Sequence, residues 1–301
     1  ASFRSFFRNK KKNISSIIIY AKREKKLNLL IYDTINKILI KNNILAPKLI
    51  NENYSKNFIE IQDFGNQTIF DYLKKNKKNK LFMFKKIINL LIKIQLIKNK
   101  KILNFKKQNY IVPKYSPKIL FEETKLFSDW YVPQKITLNK QSKFKNDFEK
   151  IIKILIKKIS FKNGVFVHRD FHVSNLMITN NKIGVIDTQD ALIGNKAYDL
   201  ASLIDDVRIK TSNIFKKKLF DFYIKSQKDL NNKKFKNDFE ILSVLRNLKI
   251  IGIFTRLACR DDKKSYLKLI PYTWSLIRLR SKNNKIFKDF NNLLNKNFNW
   301  K

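Results

Sequence analysis

Cysteine is almost absent from this sequence, and it contains no long hydrophobic run. The single cysteine, Cys259, excludes an internal disulfide and fits a reducing compartment, so we expect a cytoplasmic protein. The longest apolar stretch, Ile87 to Ile97, is interrupted by Asn, Lys and Gln and is too short to span a bilayer, which predicts no membrane association. No signal peptide is visible, and because the chain opens with Ala1 instead of Met we expect an upstream segment to be missing.

Acidic residues are also scarce. The 24 Asp and Glu stand against 65 Lys and Arg, which gives a formal net charge of +41. Such a charge can indicate a nucleic-acid or membrane partner. Here the excess is mostly lysine, accompanies abundant Asn and Ile, and is spread over the whole chain, as is typical of an AT-rich genome. We therefore predict no specific nucleic-acid partner.

Histidine and glycine are scarce too, yet they gather in one stretch. The only two histidines, His168 and His172, lie between Gly164 and Gly184, which are two of the five glycines. A strand end at 165–167, a polar loop and two short apolar runs make up this stretch. The clustering makes it the first candidate for a functional site.

The spacing within this stretch predicts a metal site. Asn tolerates positive φ, so Asn180-Asn181 predicts a two-residue hairpin turn, and the resulting register brings Asn175 beside Asp187. A carboxylate beside an amide oxygen suits Mg²⁺, and Asp170 on the same loop would face it. The spacing H-x-D-x-x-x-x-N before a strand ending in Asp matches the catalytic loop of kinases. The alternative is a polar surface hairpin around a core histidine.

The remaining periodicity predicts the architecture. The sequence predicts an N-terminal hairpin at 3–19 and an amphipathic helix at 27–42. It predicts two more strands at 48–53 and 57–62. Helices follow at 68–75, 81–98, 120–131 and 144–159, with an irregular segment at 99–117, and Asp199 is the predicted N-cap of a later helix. We predict an α+β, bilobal protein-kinase-like fold, with a small N-terminal antiparallel-sheet lobe (1–65), a larger, mainly helical lobe (66–301) and the site between them.

Five segments make the chain resemble the aminoglycoside phosphotransferase and choline kinase superfamily. They are ASFRSFFR (1–8), EETKLFSDWY (122–131), HRDFHVSNLM (168–177), IDTQDALIGNKAYDLASLIDD (186–206) and IGIFTRLACRDDKKSYL (251–267). The third is specific for the superfamily. The DTQDA and IFTRLACRD pieces narrow the likeness to the anomeric sugar kinases of bacterial cell-wall recycling, which phosphorylate N-acetylmuramate and N-acetylglucosamine at C1. A protein kinase is disfavoured, because Asp187-Thr188-Gln189 replaces D-F-G and no A-P-E follows.

The resemblance implies a kinase that uses ATP and Mg²⁺. Asp170 would accept or orient the proton of the acceptor hydroxyl, and Asn175 and Asp187 would hold Mg²⁺ against the phosphates. The residues implied to bind nucleotide are the tail of a phosphate-covering loop, Ser2, Phe3 and Arg4, and the backbone of an adenine-reading hinge, Glu60, Ile61 and Gln62.

Lys22 is the candidate for a strand lysine that touches the ATP phosphates. In a chain this rich in lysine it is equally a chance occurrence after a strand. The usual glutamate partner is not evident either, because the helix at 27–42 offers only Asp33.

The other candidates carry open alternatives. His168 is expected to brace the loop, whereas His172 is either a solvent-facing loop residue or a sugar contact. Asp190 contacts substrate or a second metal, or caps the next turn, and we favour substrate. Arg256 and Arg260, four residues apart on a predicted helix, either bind a substrate carboxylate or pair with nearby acids.

The scarcity of acids also bears on the substrate. Aminoglycosides are polycations and need a site lined with carboxylates, so a neutral or anionic amino sugar fits this chain better. We therefore predict a small-molecule sugar kinase with an amino sugar as its partner. The alternatives are a nucleotide-binding interaction module and a kinase for another small hydroxyl compound. The sequence does not determine the oligomeric state.

Overall fold

The structure is a computed structural model that describes residues 4–11, 14–22, 28–76, 78–162, 164–228 and 230–298. The strands are β1 (Arg4–Lys11), β2 (Ile14–Ala21), β3 (Leu49–Asn53), β4 (Phe58–Gln62), β5 (Lys101–Leu103), β6 (Asn109–Ile111), β7 (Val165–Val167), β8 (Leu176–Thr179), β9 (Lys182–Val185) and β10 (Leu192–Gly194). The α-helices are α1 (Asn28–Lys41), α2 (Ile69–Lys75), α3 (Lys80–Gln95), α4 (Pro117–Leu126), α5 (Leu138–Lys157), α6 (Ala197–Ile204), α7 (Asn213–Lys225), α8 (Asn232–Asp261), α9 (Ile270–Ser281) and α10 (Lys288–Phe298). None of the helices in these ranges is long and apolar enough to cross a membrane.

The chain forms two compact units that do not follow chain order. The first comprises Ala1–Lys114 and Val165–Asp199, and the second comprises Tyr115–Gly164 and Leu200–Lys301. The stretch that carries the predicted kinase motif therefore folds with the N-terminal sheet. The lobe boundary at Gly65 stays a prediction; the four-stranded sheet ends shortly before it, at the end of β4.

The first unit is built on an antiparallel sheet of four strands in the order β1-β2-β4-β3. The β-branched run in β2 suits a central strand, because its side chains pack on a half-buried pleated surface. Helix α1 covers the sheet with Leu29 and Tyr32, which pack in one cluster with Ile19, Ile59 and Ile61. The predicted hairpin, helix and strands are confirmed in this region. The sequence predicts the hairpin turn at 9–13, which is wrong for 9–11 because β1 continues to Lys11 and pairs with β2 there, while 12–13 lie outside the described residues.

The second predicted hairpin is also confirmed. Strand β8 pairs with β9 so that Thr179 faces Lys182. Both turn residues, Asn180 and Asn181, have positive φ, 46° and 59°. This is the conformation that a two-residue hairpin turn requires and that Asn tolerates. Gly184 is needed for space, because a Cβ there would come within 2.6 Å of the Phe64 ring.

Two predictions of local structure are wrong. The segment 99–117 is not wholly irregular, since β5 and β6 pair across a loop in which the Asn104 side chain accepts the backbone N–H groups of Lys106 and Gln108. Such side-chain to backbone bonding closes a turn without a periodic signal. Asp199 is not an N-cap either, because α6 begins at Ala197 and Asp199 lies within its first turn.

The second unit is mainly helical. Helix α8 is its longest element, and Gly252 in α8 permits close approach of another helix end, because a Cβ at this position would lie 2.2 Å from the backbone carbon of Leu126. A one-turn π-helix, Phe127–Tyr131, follows α4. Its Phe127 contacts a cluster of rings in the same unit, namely Tyr131, Phe144, Phe148, Trp274 and Phe298.

Candidate active site

The loop after β7 is held by a buried carboxylate. Asp199 is fully buried and accepts the backbone N–H of His168 at 2.6 Å and of Arg169 at 3.0 Å. Burial raises the pKa of Asp199 to about 6, although the interaction with the His168 ring and these two hydrogen bonds act to lower it. Arg169 has a φ of 74°, an uncommon conformation for a side-chain-bearing residue. Asp199 thus fixes the strained start of the loop, a structural role that its position in α6 explains.

His168 is buried behind the same loop. Its ring nitrogen Nε2 lies 3.0 Å from the backbone oxygen of Ile186, and its ring meets Phe171 edge-on. These contacts tie the loop to the residue that precedes Asp187. They support the proposed role of His168 as a brace.

Asp170 and Asn175 lie at the two ends of a tight turn. The backbone oxygen of Asp170 accepts the N–H of His172 at 3.0 Å and the side-chain amide of Asn175 at 3.1 Å. The backbone oxygen of Asn175 in turn accepts the N–H of Ile186 at 3.1 Å. Since the Asn175 side-chain nitrogen is used within the turn, its amide oxygen is the atom that would bind a metal ion. The predicted neighbourhood of Asn175 and Asp187 is confirmed by the pairing around them.

Asp187 is held in a left-handed backbone conformation, with a φ of 60°. The guanidinium of Arg4 lies 3.4 Å from its carboxylate, and the Gln189 amide donates to the same oxygen at 3.2 Å. Burial raises the pKa of Asp187, Arg4 lowers it and the negative charge of Asp170 raises it again. Asp170 and Asp187 are therefore close enough to repel each other, which favours a cation between or beside them.

These donors fit Mg²⁺ bound together with nucleotide. No cluster of three or more His, Cys, Asp or Glu able to hold a metal occurs among the described residues. The site instead offers two carboxylates, Asp170 and Asp187, and the amide oxygen of Asn175. Mg²⁺ is usually bound by one or two carboxylates while phosphates and water complete its shell. The chemistry of the donor set therefore matches Mg²⁺·ATP better than a protein-only metal centre.

A cavity of about 430 Å³ opens next to Asn175 and Asp187 within the first unit. Its apolar lining includes Ile17, Ile61, Phe64, Met177 and Ile186, and its polar and charged lining includes Arg4, Arg8, Asp63, Asn175 and Asp187. A cavity that combines apolar side chains with a cation and with carboxylate and amide oxygens offers surfaces suited to both halves of a nucleotide, the base and the phosphates.

The cavity wall includes part of the predicted hinge. Ile61 and Gln62 line it, whereas Glu60 does not; the Glu60 carboxylate accepts hydrogen bonds from Ser16 and Asn9. Gln62 donates its backbone N–H to the backbone oxygen of Lys48 at 2.8 Å. The hinge role of all three residues stays a prediction.

The loop that follows the predicted hinge is firmly held. Arg8 binds the Asp63 carboxylate through Nε at 2.6 Å, and the Gly65 N–H donates to Asp63 at 2.8 Å. Partial burial acts to raise the pKa of Asp63, but the bonds from Ser15, Gly65 and Arg8 lower it. This loop lines the cavity and ties β1 to the end of β4.

The two predicted phosphate-binding cations differ in position. Arg4 lines the cavity and touches Asp187. Lys22 is exposed just past the end of β2 and is not among the lining residues. Asp33, the one acid that α1 offers, pairs with Lys37 at 2.6 Å. Ser2 and Phe3 lie outside the described residues, so their predicted roles stay predictions.

A carboxylate and a phenol, those of Asp190 and Tyr110, lie near each other in the first unit. Asp190 is exposed, receives the Gln189 amide at 2.7 Å and lies 3.7 Å from the Arg169 guanidinium. Tyr110 is close as well: burial raises its pKa and the Asp190 charge adds to this. No sequence signal points to Tyr110, because the periodicity does not predict β6. Its placement follows from a parallel bridge between Lys114 and Ile193.

His172 is 94% buried on the same loop, its relative exposure being 6%. The solvent-facing alternative for this residue is therefore wrong, and its contact with sugar stays a prediction.

Arg256 and Arg260 belong to the second unit. Arg260 forms a two-point ion pair with its neighbour Asp261, with distances of 2.9 and 3.0 Å. Arg260 therefore pairs with a nearby acid, which is one of the two alternatives that the sequence leaves open for it. Arg256 is half-buried in α8, and its Nε forms no hydrogen bond within the part of the chain that the structure describes. A substrate role for both residues stays a prediction.

Part of the chain matches a protein-family model, and most of it is similar to a known kinase. A family model described as "Phosphotransferase enzyme family" matches residues 106–230. An N-acetylmuramate/N-acetylglucosamine kinase from Neisseria meningitidis serogroup B is 27% identical over 286 residues, which cover 92% of this chain and 82% of that protein.

Two solved structures resemble the fold. A choline/ethanolamine kinase family protein from Mesorhizobium loti has a TM-score of 0.63 at 9% identity, covering 97% of this chain and 90% of its own. The AMP-bound spectinomycin phosphotransferase APH(9)-Ia has a TM-score of 0.62 at 14% identity, covering 93% and 91%. At such identities the likeness concerns the fold alone. It confirms the predicted α+β, bilobal protein-kinase-like fold.

Proposed function

We propose that this chain, of which residues 106–230 match a family model described as "Phosphotransferase enzyme family", transfers the terminal phosphoryl group of ATP to the anomeric hydroxyl of an N-acetyl amino sugar. One observation carries the proposal. Asn175 and Asp187 meet in the wall of a cavity with an apolar slot, and Asp170 lies beside them on the same loop. A nucleotide and its metal need this combination of surfaces.

Each half of ATP has a matching surface in the cavity. The purine fits between the apolar side chains of Ile17, Ile61 and Met177, next to the backbone that follows β4. The phosphates then extend toward Arg4, Asn175 and Asp187. Mg²⁺ bound there with the phosphates would neutralise part of their negative charge. Arg4 adds a guanidinium, which forks onto phosphate oxygens better than an ammonium does.

The residues of the loop then perform the proton chemistry. Asp170 accepts the proton of the sugar hydroxyl as a bond forms between the hydroxyl oxygen and the terminal phosphorus. At the same time the bond from that phosphorus to the bridging oxygen of ATP breaks, and ADP leaves with the electron pair. His168 and Asp199 keep Asp170 in place through the contacts of the loop backbone. Most of the rate gain in such a reaction comes from positioning and electrostatics.

The acceptor side favours a sugar without a large positive charge. Its exposed carboxylate, Asp190, is already balanced by Arg169, and the phenol of Tyr110 lies nearby. A polycation would need several unpaired carboxylates at this place, whereas a sugar ring can use one paired carboxylate and an aromatic group. The similarity to kinases named for N-acetylmuramate and N-acetylglucosamine supports the same choice.

Arg4→Ala is expected to raise KM for Mg²⁺·ATP by about 10- to 140-fold, since a hydrogen bond to a charged group contributes about 1.5–3 kcal/mol and 1.4 kcal/mol is a factor of ten. Lys22→Ala removes one positive charge from the same sheet and is expected to leave KM near the wild-type value, because Lys22 lies outside the cavity lining. Steady-state kinetics at varied ATP measures both. A larger effect of Lys22→Ala would assign the phosphate contact to Lys22 instead.

The function is tested by ADP release in the presence of Mg²⁺ with four acceptors: N-acetylmuramate, N-acetylglucosamine, choline and kanamycin. Turnover with the amino sugars, and little with the two cationic compounds, is the expected result. Preference for choline or kanamycin would contradict the proposed acceptor. ATP binding without turnover on any acceptor would indicate a nucleotide-binding module instead.

A further inference from the structure

A buried hydrogen bond joins the segment after Asp187 to helix α1. The hydroxyl of Thr188 donates to the Asn36 side-chain oxygen at 2.6 Å, and the Asn36 amide donates to the backbone oxygen of Pro47 at 2.9 Å. Thr188 and Asn36 are 0% and 2% exposed. Both the oxygen and the nitrogen of the Asn36 side chain are therefore used in hydrogen bonds. Because Thr188 and Asn36 are buried, solvent cannot replace a lost partner of either residue.

Tyr32 extends this connection on the same face of α1, one turn before Asn36. Its pKa is raised by burial and by the charge of Asp187, while hydrogen bonds to the Asp187 backbone and the Asn36 side chain act to lower it. Tyr32 and Pro47 both line the nucleotide cavity. One face of α1 thus contacts the sheet core through Leu29 and the Asp187 segment through Tyr32 and Asn36.

The segment needs such support because of its backbone. Asp187 has a φ of 60°, and residues other than glycine adopt this conformation only at a cost in free energy. Surrounding contacts must hold it there. The hydroxyl of the next residue, Thr188, is fixed by Asn36 and so restricts the peptide that follows Asp187.

In kinases a lysine on a strand pairs with a glutamate on the helix beside it, and this pair must form for activity. Here α1 has no glutamate, its Asp33 is paired with Lys37, and Lys22 lies exposed beyond the strand. Helix α1 is therefore connected to the site through neutral side chains.

We propose that Asn36 and Thr188 form a neutral latch that positions Asp187 for the metal-bound nucleotide, in place of an ion pair between helix and strand. Both are positioning residues, since they act through Asp187. The latch rests on the proposed function for its effect on catalysis. Its effect on the Asp187 segment exists in the protein without ligand.

Three variants test the role of the Thr188 hydroxyl. Thr188→Val keeps the shape and removes the donor, whereas Thr188→Ser keeps the donor. Thr34→Val is the matched control, because Thr34 is also fully buried, lies on α1 and donates at 2.6 Å, but to Leu30 within its own helix. All three carry a change of similar size in the same unit, so Thr34→Val reports the effect of losing a buried threonine hydroxyl that does not contact the Asp187 segment.

Two measurements are made on each variant. Hydrogen exchange of the peptide that spans residues 186–192 is followed by mass spectrometry on the protein without ligand. Binding of Mn²⁺ with a non-hydrolysable ATP analogue is followed by electron paramagnetic resonance. Thr188→Val is expected to exchange faster in this peptide and to bind Mn²⁺ about ten-fold more weakly, as for a lost buried hydrogen bond. Thr188→Ser and Thr34→Val are expected to resemble the wild type in both.

The outcomes separate the latch from the function. If Thr34→Val matches Thr188→Val, or if Thr188→Val exchanges like the wild type, the latch is wrong. If the wild-type protein binds no Mn²⁺ with the analogue and turns over no acceptor, the proposed function is wrong. Faster exchange at 186–192 in Thr188→Val alone would then still support the latch as a structural device.

Discussion

Asp170→Asn is expected to lower kcat by about 100- to 10,000-fold, far more than it weakens nucleotide binding. The loss follows from removing the group that takes the proton of the acceptor hydroxyl, because a positioned general base contributes about that much. The fold should persist, since the loop is held by the backbone of residue 170 and by Asp199, and the substitution leaves both in place. The rate of ADP release and calorimetric binding of the ATP analogue measure the two effects separately.

Asp71→Asn is the matched control for this variant. Asp71 is an exposed carboxylate of the same unit that accepts the Thr68 hydroxyl at the start of α2. Its replacement makes the same chemical change away from the cavity and should leave kcat unaltered. A kcat of Asp170→Asn close to that of Asp71→Asn would rule out Asp170 as the base.

Asp205→Asn is expected to lower the free energy of unfolding by about 3–5 kcal/mol, the usual cost of removing one partner of a buried ion pair. Asp205 is fully buried in the second unit and binds the Arg280 guanidinium at 2.8 and 2.9 Å. Lys216, itself 2% exposed, lies 3.3 Å away, and Ser243 donates at 2.7 Å. Loss of the negative charge deprives the neighbouring Arg280 and Lys216 of the buried carboxylate that they share. Urea unfolding at pH 7 measures the change.

The pH dependence gives a second check on Asp205. Burial alone would raise the pKa of Asp205, but the charges of Arg280 and Lys216 hold it well below its usual value. A lowered pKa means that the stabilisation is fully present above the unfolded-state pKa, about 4, and is lost as the pH falls further. The difference between wild type and Asp205→Asn should therefore be constant near neutrality and shrink below about pH 4.

Asp221→Asn serves as the control for Asp205→Asn. Asp221 is a half-exposed partner of the exposed Lys217 on α7, at 3.1 Å. Exposed pairs of this kind contribute about 0–1 kcal/mol, so this variant should unfold close to the wild type. If both variants lost the same free energy of unfolding, the large contribution assigned to the buried ion pairs of Asp205 would be wrong.

The parts of the site that the sequence predicts are local. The hairpin of β8 and β9 follows from Asn180-Asn181, because two adjacent residues with positive φ are needed at its tip and Asn provides them. Once the turn is fixed, the pairing brings Asn175 and Asp187 together. A short-range rule thus determines the most important contact of the site.

The parts that the sequence does not predict depend on distant residues. The Asn36–Thr188 latch joins positions 152 apart, and neither residue stands out from its neighbours by periodicity. Local context alone makes Asp199 a candidate N-cap, whereas the structure uses its carboxylate for the loop 30 residues earlier. Such partners are chosen by tertiary packing, and no local propensity records them.

The sequence alone also does not show which cation lines the cavity. In a chain with 65 Lys and Arg, a lysine after a strand has little meaning, and Lys22 is exposed. Arg4 is a candidate through the resemblance alone, and it contacts Asp187 because β1 pairs with the central strand β2 in a register that sequence alone does not set.

The most direct test of the proposed function is phosphorus NMR of the products formed from ATP, Mg²⁺ and N-acetylglucosamine or N-acetylmuramate. The expected product carries its phosphate on C1, seen as coupling of the phosphorus to the anomeric proton and as loss of the reducing end, and it does not form with Asp170→Asn. A phosphate on any other hydroxyl would contradict the anomeric assignment. ATP hydrolysis without any sugar phosphate would contradict the sugar kinase itself.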